Sequence, residues 1–171
     1  MEKKYLFKQK SYNIVANIEI DLLIDSGIKG IILDLDNTIV SEDDRYLSPH
    51  AEKWIQDCKL KGLRFYILSN GSRKTRANNW SARLDIPCLS PAKKPFPFAF
   101  YKAFAYLKLK PHQIVVIGDS FHTDVLGSFF VGCPCIQVAS LPHAPRWWEK
   151  LVGKWIQKSY SSDDELWELE N

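Results

Sequence analysis

The chain has 171 residues, of which 46% are hydrophobic and 25% charged, and its net charge is +3. That length suits one domain with a full core and an ordinary globular balance. No run is long and apolar enough to span a bilayer, and Met1-Glu2-Lys3-Lys4-Tyr5 leads into no apolar signal-peptide core. Cys58, Cys88, Cys133 and Cys135 show neither zinc-ligand nor C-x-x-C spacing, so they read as thiols of a reducing compartment. Five of the 20 acids fall between Ser161 and Asn171, where there is no Lys or Arg; the remainder sets 23 basic against 15 acidic residues, a net of +8. A basic body suits an anionic partner, whether nucleic acid, lipid or phosphorylated substrate.

In chain order, residues 5–17 have no clear period and read as an arm or strand lead-in. Ile20 to Ile24 suggests one or two helical turns, ended by Gly27. Gly30-Ile31-Ile32-Leu33 is a short apolar strand of the kind buried on both faces of a parallel sheet. Ser41 to Leu47 is polar and reads as a loop. Ser48-Pro49 predicts a helix start, capped by Ser48, with a stripe of Ala51, Trp54, Ile55 and Cys58. Arg64 to Ser69 is a second strand. Ser72 to Leu84 is helical and basic, Ile86 to Leu89 a short strand, and a helix follows Pro95 and Pro97. Ile114 to Ile117 is another apolar strand, His122 to Val131 a helix, and Cys135 to Ala139 a last strand. This β-α-β-α rhythm predicts a parallel sheet with helices on both faces. One domain over residues 1–160 with an acidic tail over 161–171 is expected.

Three strand ends carry polar chemistry: Asp34, Asp36 and Thr38 after the first, Ser69 and Asn70 after the second, Asp119 and Asp124 after the fourth. In an open parallel sheet these ends share one edge, where ligands bind. Strand periodicity puts Asp34 and Asp36 on one side if the chain stays extended. Two acids at a buried strand end repel each other unless a cation or a proton intervenes. Lys94 lies between the second and third groups in sequence.

The ordered set D-x-D-x-T, Ser-Asn, Lys-Pro and G-D-x-x-x-x-D resembles the four motifs of the haloacid dehalogenase (HAD) superfamily. More narrowly it is similar to the YqeG-type, subfamily IIIA branch. The resemblance lies in Ser26-Gly27-Ile28-Lys29-Gly30 before Asp34-Leu35-Asp36-Asn37-Thr38, in Ala92-Lys93-Lys94-Pro95, and in Gly118-Asp119-Ser120-Phe121-His122-Thr123-Asp124-Val125-Leu126. Ser120 departs from the Gln frequent at that position in the branch. The branch is similar to mitochondrial phosphatidylglycerophosphate phosphatases. The resemblance implies a HAD-like α/β fold, a three-layer α/β/α sandwich without a cap. It implies a phosphatase in which Asp34 is the nucleophile and Asp36 the acid and base. Thr38, Ser69, Asn70 and Lys94 would bind phosphate, Lys94 rather than Lys93 because only it precedes the proline. Mg²⁺ would be held by Asp34, Asp36, Asp119 and Asp124, with Asp124 either a metal contact or the residue that orients Lys94. The short gaps between motifs, Val40 to Phe65 and Gly71 to Lys93, leave no room for a large cap, so an open site and a large substrate are expected.

Residues 146–158 are the second informative stretch. Arg146, Lys150, Lys154 and Lys158 recur every four residues beside Trp147, Trp148, Leu151, Val152, Trp155 and Ile156. Two readings are open: a helix lying in a membrane interface, or one packing its apolar face on the core. The expectation is a cytoplasmic enzyme, peripheral on the membrane, that meets a lipid headgroup. A phosphatase of a soluble or protein phosphomonoester is the rival. A receiver-like phospho-acceptor is disfavoured by Asp36 and Thr38. The Arg73-to-Arg83 helix as a nucleic-acid surface lacks any supporting motif, so no nucleic acid is expected.

Overall fold

The computed structural model describes residues 12–161 and 165–169. In chain order the elements are α1 (Ile20–Asp25), β1 (Gly30–Leu33), β2 (Tyr46–Leu47), α2 (Ala51–Leu60) and β3 (Arg64–Leu68). Then come α3 (Lys74–Leu84), β4 (Cys88–Leu89), α4 (Phe98–Leu107), β5 (Ile114–Gly118), α5 (Leu126–Val131) and β6 (Cys135–Gln137). The chain closes with β7 (Ala139–Ser140), α6 (Glu149–Ile156), β8 (Lys158–Ser159) and β9 (Trp167–Glu168). The sheet has the order β4-β3-β1-β5-β6 and all four pairings are parallel.

The apolar strands alternate faithfully between two cores. Ile31, Leu33, Phe65, Ile67, Val115 and Ile117 point into one, with Trp54, Ile55, Trp80 and Leu84 from α2 and α3. Ile32, Leu68, Ile114 and Val116 point into the other, with Ala99, Phe100, Ala103 and Leu107 of α4. A strand buried on both faces must be apolar at every position, which is why β1 and β5 read as unbroken runs. The strand order reverses between β1 and β5, and the crevice outside their C-terminal ends is where such sheets bind ligands.

Several expectations change. Ser48 does not cap α2: its buried Oγ has no hydrogen-bond partner among the described residues, and the helix starts behind His50, whose φ of 58° turns the chain. The polar loop after β1 contains β2, which pairs antiparallel with β9. The helix expected from His122 opens as a wide π-type turn, Phe121–Val125, before α5. Of the arm 5–17, residues 5–11 lie outside the described residues; Tyr12 bridges to Val138, and Val15–Asn17 is a single 3₁₀ turn. Of the acidic tail, Asp163, Asp164 and Glu170 lie outside the described residues. Its described part returns to the domain: Trp167 and Leu169 pack against the first core and the Leu169 N–H donates to the Arg45 carbonyl at 2.9 Å, while Glu165 and Glu168 stay exposed.

Helix α6 is shorter than the 146–158 stretch, and it does not bury its apolar face. Trp147, Leu151 and Trp155 are each at least 70% exposed. Arg146 and Lys158 leave the basic stripe: Arg146 pairs with Glu42, and Lys158 is half-buried and turns towards the Gln137 carbonyl.

Ending the chain at Ser161 removes β9 and strips Trp167 and Leu169 from the core. Half-burial of those two side chains predicts a loss of roughly 2 kcal/mol, read as a lower urea midpoint with the α/β circular dichroism spectrum retained.

Candidate active site

The register sets Leu33 beside Ile117, so Asp34 and Gly118-Asp119 emerge side by side at the C-terminal edge of the sheet. Asp34 extends the ladder by donating its N–H to the Ile117 carbonyl at 2.9 Å. The chain then stays extended: Leu35 packs in the first core beside Leu33, and Asp34 and Asp36 both face the cleft. Asn37 takes the left-handed conformation (φ 61°), which asparagine tolerates better than most residues. The turn it makes brings Thr38 back, and its Oγ1 donates to Asp34 Oδ2 at 2.9 Å.

At the end of β3, Ser69 Oγ donates to Asp36 Oδ2 at 2.7 Å and accepts the Gly71 N–H at 3.0 Å. The Asn70 side chain is spent on the backbone of Lys94, donating to its carbonyl (2.9 Å) and accepting its N–H (2.7 Å). Asn70 thus pins the lysine loop. Lys93 is exposed and Lys94 is buried. Lys94 Nζ donates to Asp34 Oδ1 at 2.7 Å and to Asp124 Oδ1 at 2.6 Å. Burial works against the ammonium, but Asp124 and Asp34 more than reverse this and hold its pKa above the ordinary lysine value.

Gly118 makes the arrangement possible. A Cβ on it would lie 2.3 Å from Asp124 Cγ, so only glycine lets the Asp124 carboxylate fold back over the strand end. Asp34, Asp119 and Asp124 then each offer an oxygen within 4.8 Å of one another. Burial, together with the neighbouring acids, raises Asp34 well above the usual carboxylate range; Lys94 opposes the shift without cancelling it. Burial, then repulsion from Asp124, pushes Asp119 up to about 7. Three buried carboxylates facing one ammonium leave an excess of negative charge. All their donors are hard oxygens, so the trio fits a divalent cation. The Asp36 carboxylate lies outside it.

The structure adds residues that the motifs did not reveal. Arg76 of α3 donates from Nη1 to Asp36 at 2.5 Å, shares its Nε–H between the two Asp44 oxygens at 2.8 Å and donates from Nη2 to the Ser41 carbonyl at 2.9 Å. It borders the Ala77, Trp80 and Leu84 stripe that α3 buries, and that position was the signal available in the sequence. Arg83 forks onto Glu52 and Arg73 lies 3.8 Å from Asp44. Three arginines of the basic helix are thus engaged within the domain. The C-terminal segment supplies a wall. Gln157 Nε2 donates to Asp119 Oδ2 at 3.2 Å, and Gln137 Nε2 donates to both the Asp119 and Ile156 carbonyls at 2.9 Å. Arg146, Trp148 and Glu149 complete a cleft of about 140 Å³ over Asp34. No cap is inserted between the motifs, and the C-terminal segment narrows what the gap lengths alone left open.

Comparison with known proteins fits this geometry. The profile described as mitochondrial PGP phosphatase matches residues 3–140. The chain belongs to that family. It is similar to the probable phosphatase YqeG of Bacillus subtilis, at 36% identity over 127 residues, 74% of this chain and 73% of that one. In fold it is similar to a possible sugar phosphatase of the HAD superfamily from Cytophaga hutchinsonii (TM-score 0.56, 13% identity, 84% of this chain and 94% of that one). It is also similar to the cobalt-bound deoxy-D-mannose-octulosonate 8-phosphate phosphatase of Haemophilus influenzae (TM-score 0.53, 19% identity, 68% and 71%). The chain is therefore a HAD-superfamily, YqeG-type phosphatase, a hydrolase of phosphoric monoesters, on a five-stranded parallel sheet.

The acid trio predicts how stability depends on pH. Asp119 folds with its pKa raised to about 7. The native state therefore keeps a proton that the unfolded chain gives up near pH 4. Metal-free protein should lose stability as pH rises from about 4 to about 7. A divalent cation should restore it, raising the melting temperature more at pH 7.5 than at pH 5. Asp119→Asn should flatten both trends. Thermal melts in chelator and in metal, across that pH range, check this.

Proposed function

We propose that this phosphatase removes the terminal phosphate of phosphatidylglycerophosphate to give phosphatidylglycerol, at an anionic membrane surface. One juxtaposition carries the reading. The Asp34 carboxylate, held by Thr38 and Lys94, lies in a cleft walled by the segment leading into α6, and α6 turns an apolar and cationic face outward. The match to the mitochondrial PGP phosphatase family supports the same substrate.

In the proposed reaction an Asp34 oxygen attacks phosphorus, and the bond from phosphorus to the glycerol oxygen breaks. Asp36, set by Ser69 and Arg76, gives a proton to the leaving alkoxide. A water then attacks the aspartyl-phosphate while Asp36 takes its proton, which releases phosphate and restores Asp34. Lys94 neutralises the nucleophile and the phosphoryl oxygens. Thr38, Ser69 and the backbone amide at Asn70 hold those oxygens. Asp34, Asp119, Asp124 and the Asp36 carbonyl would hold Mg²⁺, which when bound neutralises charge on the phosphoryl group. Asp124 has a second task, since its other partner is Lys94.

The membrane contact follows from the charges on α6. Its one acid, Glu149, is buried against His143 and the Arg146 backbone. What remains outward is Lys150, Leu151, Val152, Lys154 and Trp155, after Trp147. Exposed tryptophan and leucine beside unopposed lysines complement a surface that is anionic outside and apolar within. No helix among the described residues is long and apolar enough to cross a membrane. The chain would work from the cytoplasmic side as a peripheral protein.

Asp34→Asn should lower turnover of the lipid by at least about a thousandfold while the folded circular dichroism spectrum is retained, because an amide does not attack phosphorus. Wild type should lose activity in chelator and regain it with Mg²⁺ but not Ca²⁺, whose looser coordination spoils the in-line geometry. A panel of phosphatidylglycerophosphate in mixed micelles, sugar phosphates and phosphopeptides tests the substrate. A soluble ester turned over faster than the lipid overturns the assignment. Lys150→Glu with Lys154→Glu should weaken sedimentation with phosphatidylglycerol vesicles at least tenfold at low salt, since each charge near the surface is worth about 1 kcal/mol.

A further inference from the structure

The phosphoryl-transfer set accounts for every acid on the cleft floor. Lys94 holds Asp34 and Asp124, Arg76 holds Asp36, and Gln157 touches Asp119. One charged group that lines the cleft is left without a task. Among the described residues, Lys94 and Arg146 are the permanent cations of this lining. His122 lines it too, but its Nδ1 lies 2.8 Å from Ser120 Oγ and its ring is seated edge-on against Trp148.

Arg146 is held in place at the rim. Its N–H donates to Glu149 Oε2 at 2.8 Å. Its Nη2 donates to Glu42 Oε1 at 2.6 Å, on the loop that follows Asp36 and Thr38. Its guanidinium carbon lies 6.0 Å from the centre of the Trp148 ring, and Trp148 meets His122 edge-on at 5.1 Å. Glu42 takes one N–H of a group that has five. The Glu42 side chain is itself 38% exposed, so water screens the pairing. The cleft therefore carries one cation on its floor, Lys94 beside Asp34, and a second, the Arg146 guanidinium, on its wall.

We infer that Arg146 is a specificity-determining residue that binds a second phosphate of the substrate, the diester joined through one glycerol to the phosphate being cleaved. This rests on the reading of the substrate as phosphatidylglycerophosphate. A single glycerol keeps the two phosphates close enough for one cleft to hold both. A guanidinium suits a phosphodiester because its parallel N–H groups match two non-bridging oxygens. A simple phosphomonoester has no group to place there. Arg146 contacts no reacting atom, so its contribution is to binding rather than to the chemical step.

The test uses the full chain and two soluble probes. One is the deacylated headgroup, with a monoester and a diester phosphate; the other is glycerol 3-phosphate, with the monoester alone. Wild type should prefer the first by kcat/KM. Arg146→Gln should cut that preference about tenfold, the loss of a charge-assisted hydrogen bond. The change should sit in KM for the two-phosphate probe and leave its kcat within about twofold. Arg146→Lys should recover part of the preference. If Arg146→Gln lowers both probes in proportion, Arg146 only seats the wall, and the inference fails while the substrate reading stands. If it changes neither, the inference fails in the same way. If wild type itself shows no preference, the substrate reading fails and takes the inference with it.

Discussion

A buried ammonium between two buried carboxylates governs this structure. Lys94 lies 2.7 Å from Asp34 and 2.6 Å from Asp124, and almost no solvent reaches any of the three. Taking one such charge out of water costs several kcal/mol, and removing one partner from a buried pair costs about 3–5 kcal/mol. The neighbourhood is accordingly built to keep the partners together. Asn70 clasps the backbone of Lys94 from both sides, Thr38 steadies Asp34, and Gly118 gives up its side chain so that Asp124 can approach. Even so, three acids face one lysine, and the unbalanced charge is what makes the site a place for a cation and an anionic substrate. In the proposed reaction, the charge that costs folding energy is the charge put to use at phosphorus.

The C-terminal segment completes the cleft by a different route. It brings no motif residue and inserts nothing between motifs. It reaches the site through Gln157 on Asp119, Gln137 on Ile156 and Arg146 on Glu42. One short helix thus has two faces with different partners. Glu149 lies inward, at the cleft, while Leu151 and Trp155 lie outward, uncovered by any described residue. The same short helix thus carries part of the cleft wall on one side and an open apolar face on the other.

Arg76 shows how a correct local reading can miss a function. Its helix was legible from propensity, and its basic character suggested a surface for polyanions. The fold turns this arginine inward, because the same face buries Trp80 and Leu84 and sits over Asp36 and Asp44. Ser48 and the acidic tail make a similar point. A serine before proline has the chemistry of a helix cap, yet the helix starts behind His50 and the Ser48 Oγ caps nothing; the tail is rich in acids, yet its Trp167 packs against the core.

The sequence by itself determined the strands and the floor of the site. Apolar runs such as Ile31 to Leu33 and Ile114 to Ile117 admit little but burial on both faces, and each hands its acids to the strand end that follows it. These are local matters, settled by side-chain period and by spacings of two to five residues. Only the tertiary structure decided which charges meet. Arg76 and Asp36 are 40 residues apart in sequence, Lys94 and Asp34 60, Arg146 and Glu42 104. Neither propensity nor period extends that far. Those pairings depend on the strand order β4-β3-β1-β5-β6 and on where the last helix comes to rest, because charges separated by most of the chain become neighbours only when the sheet between them has formed.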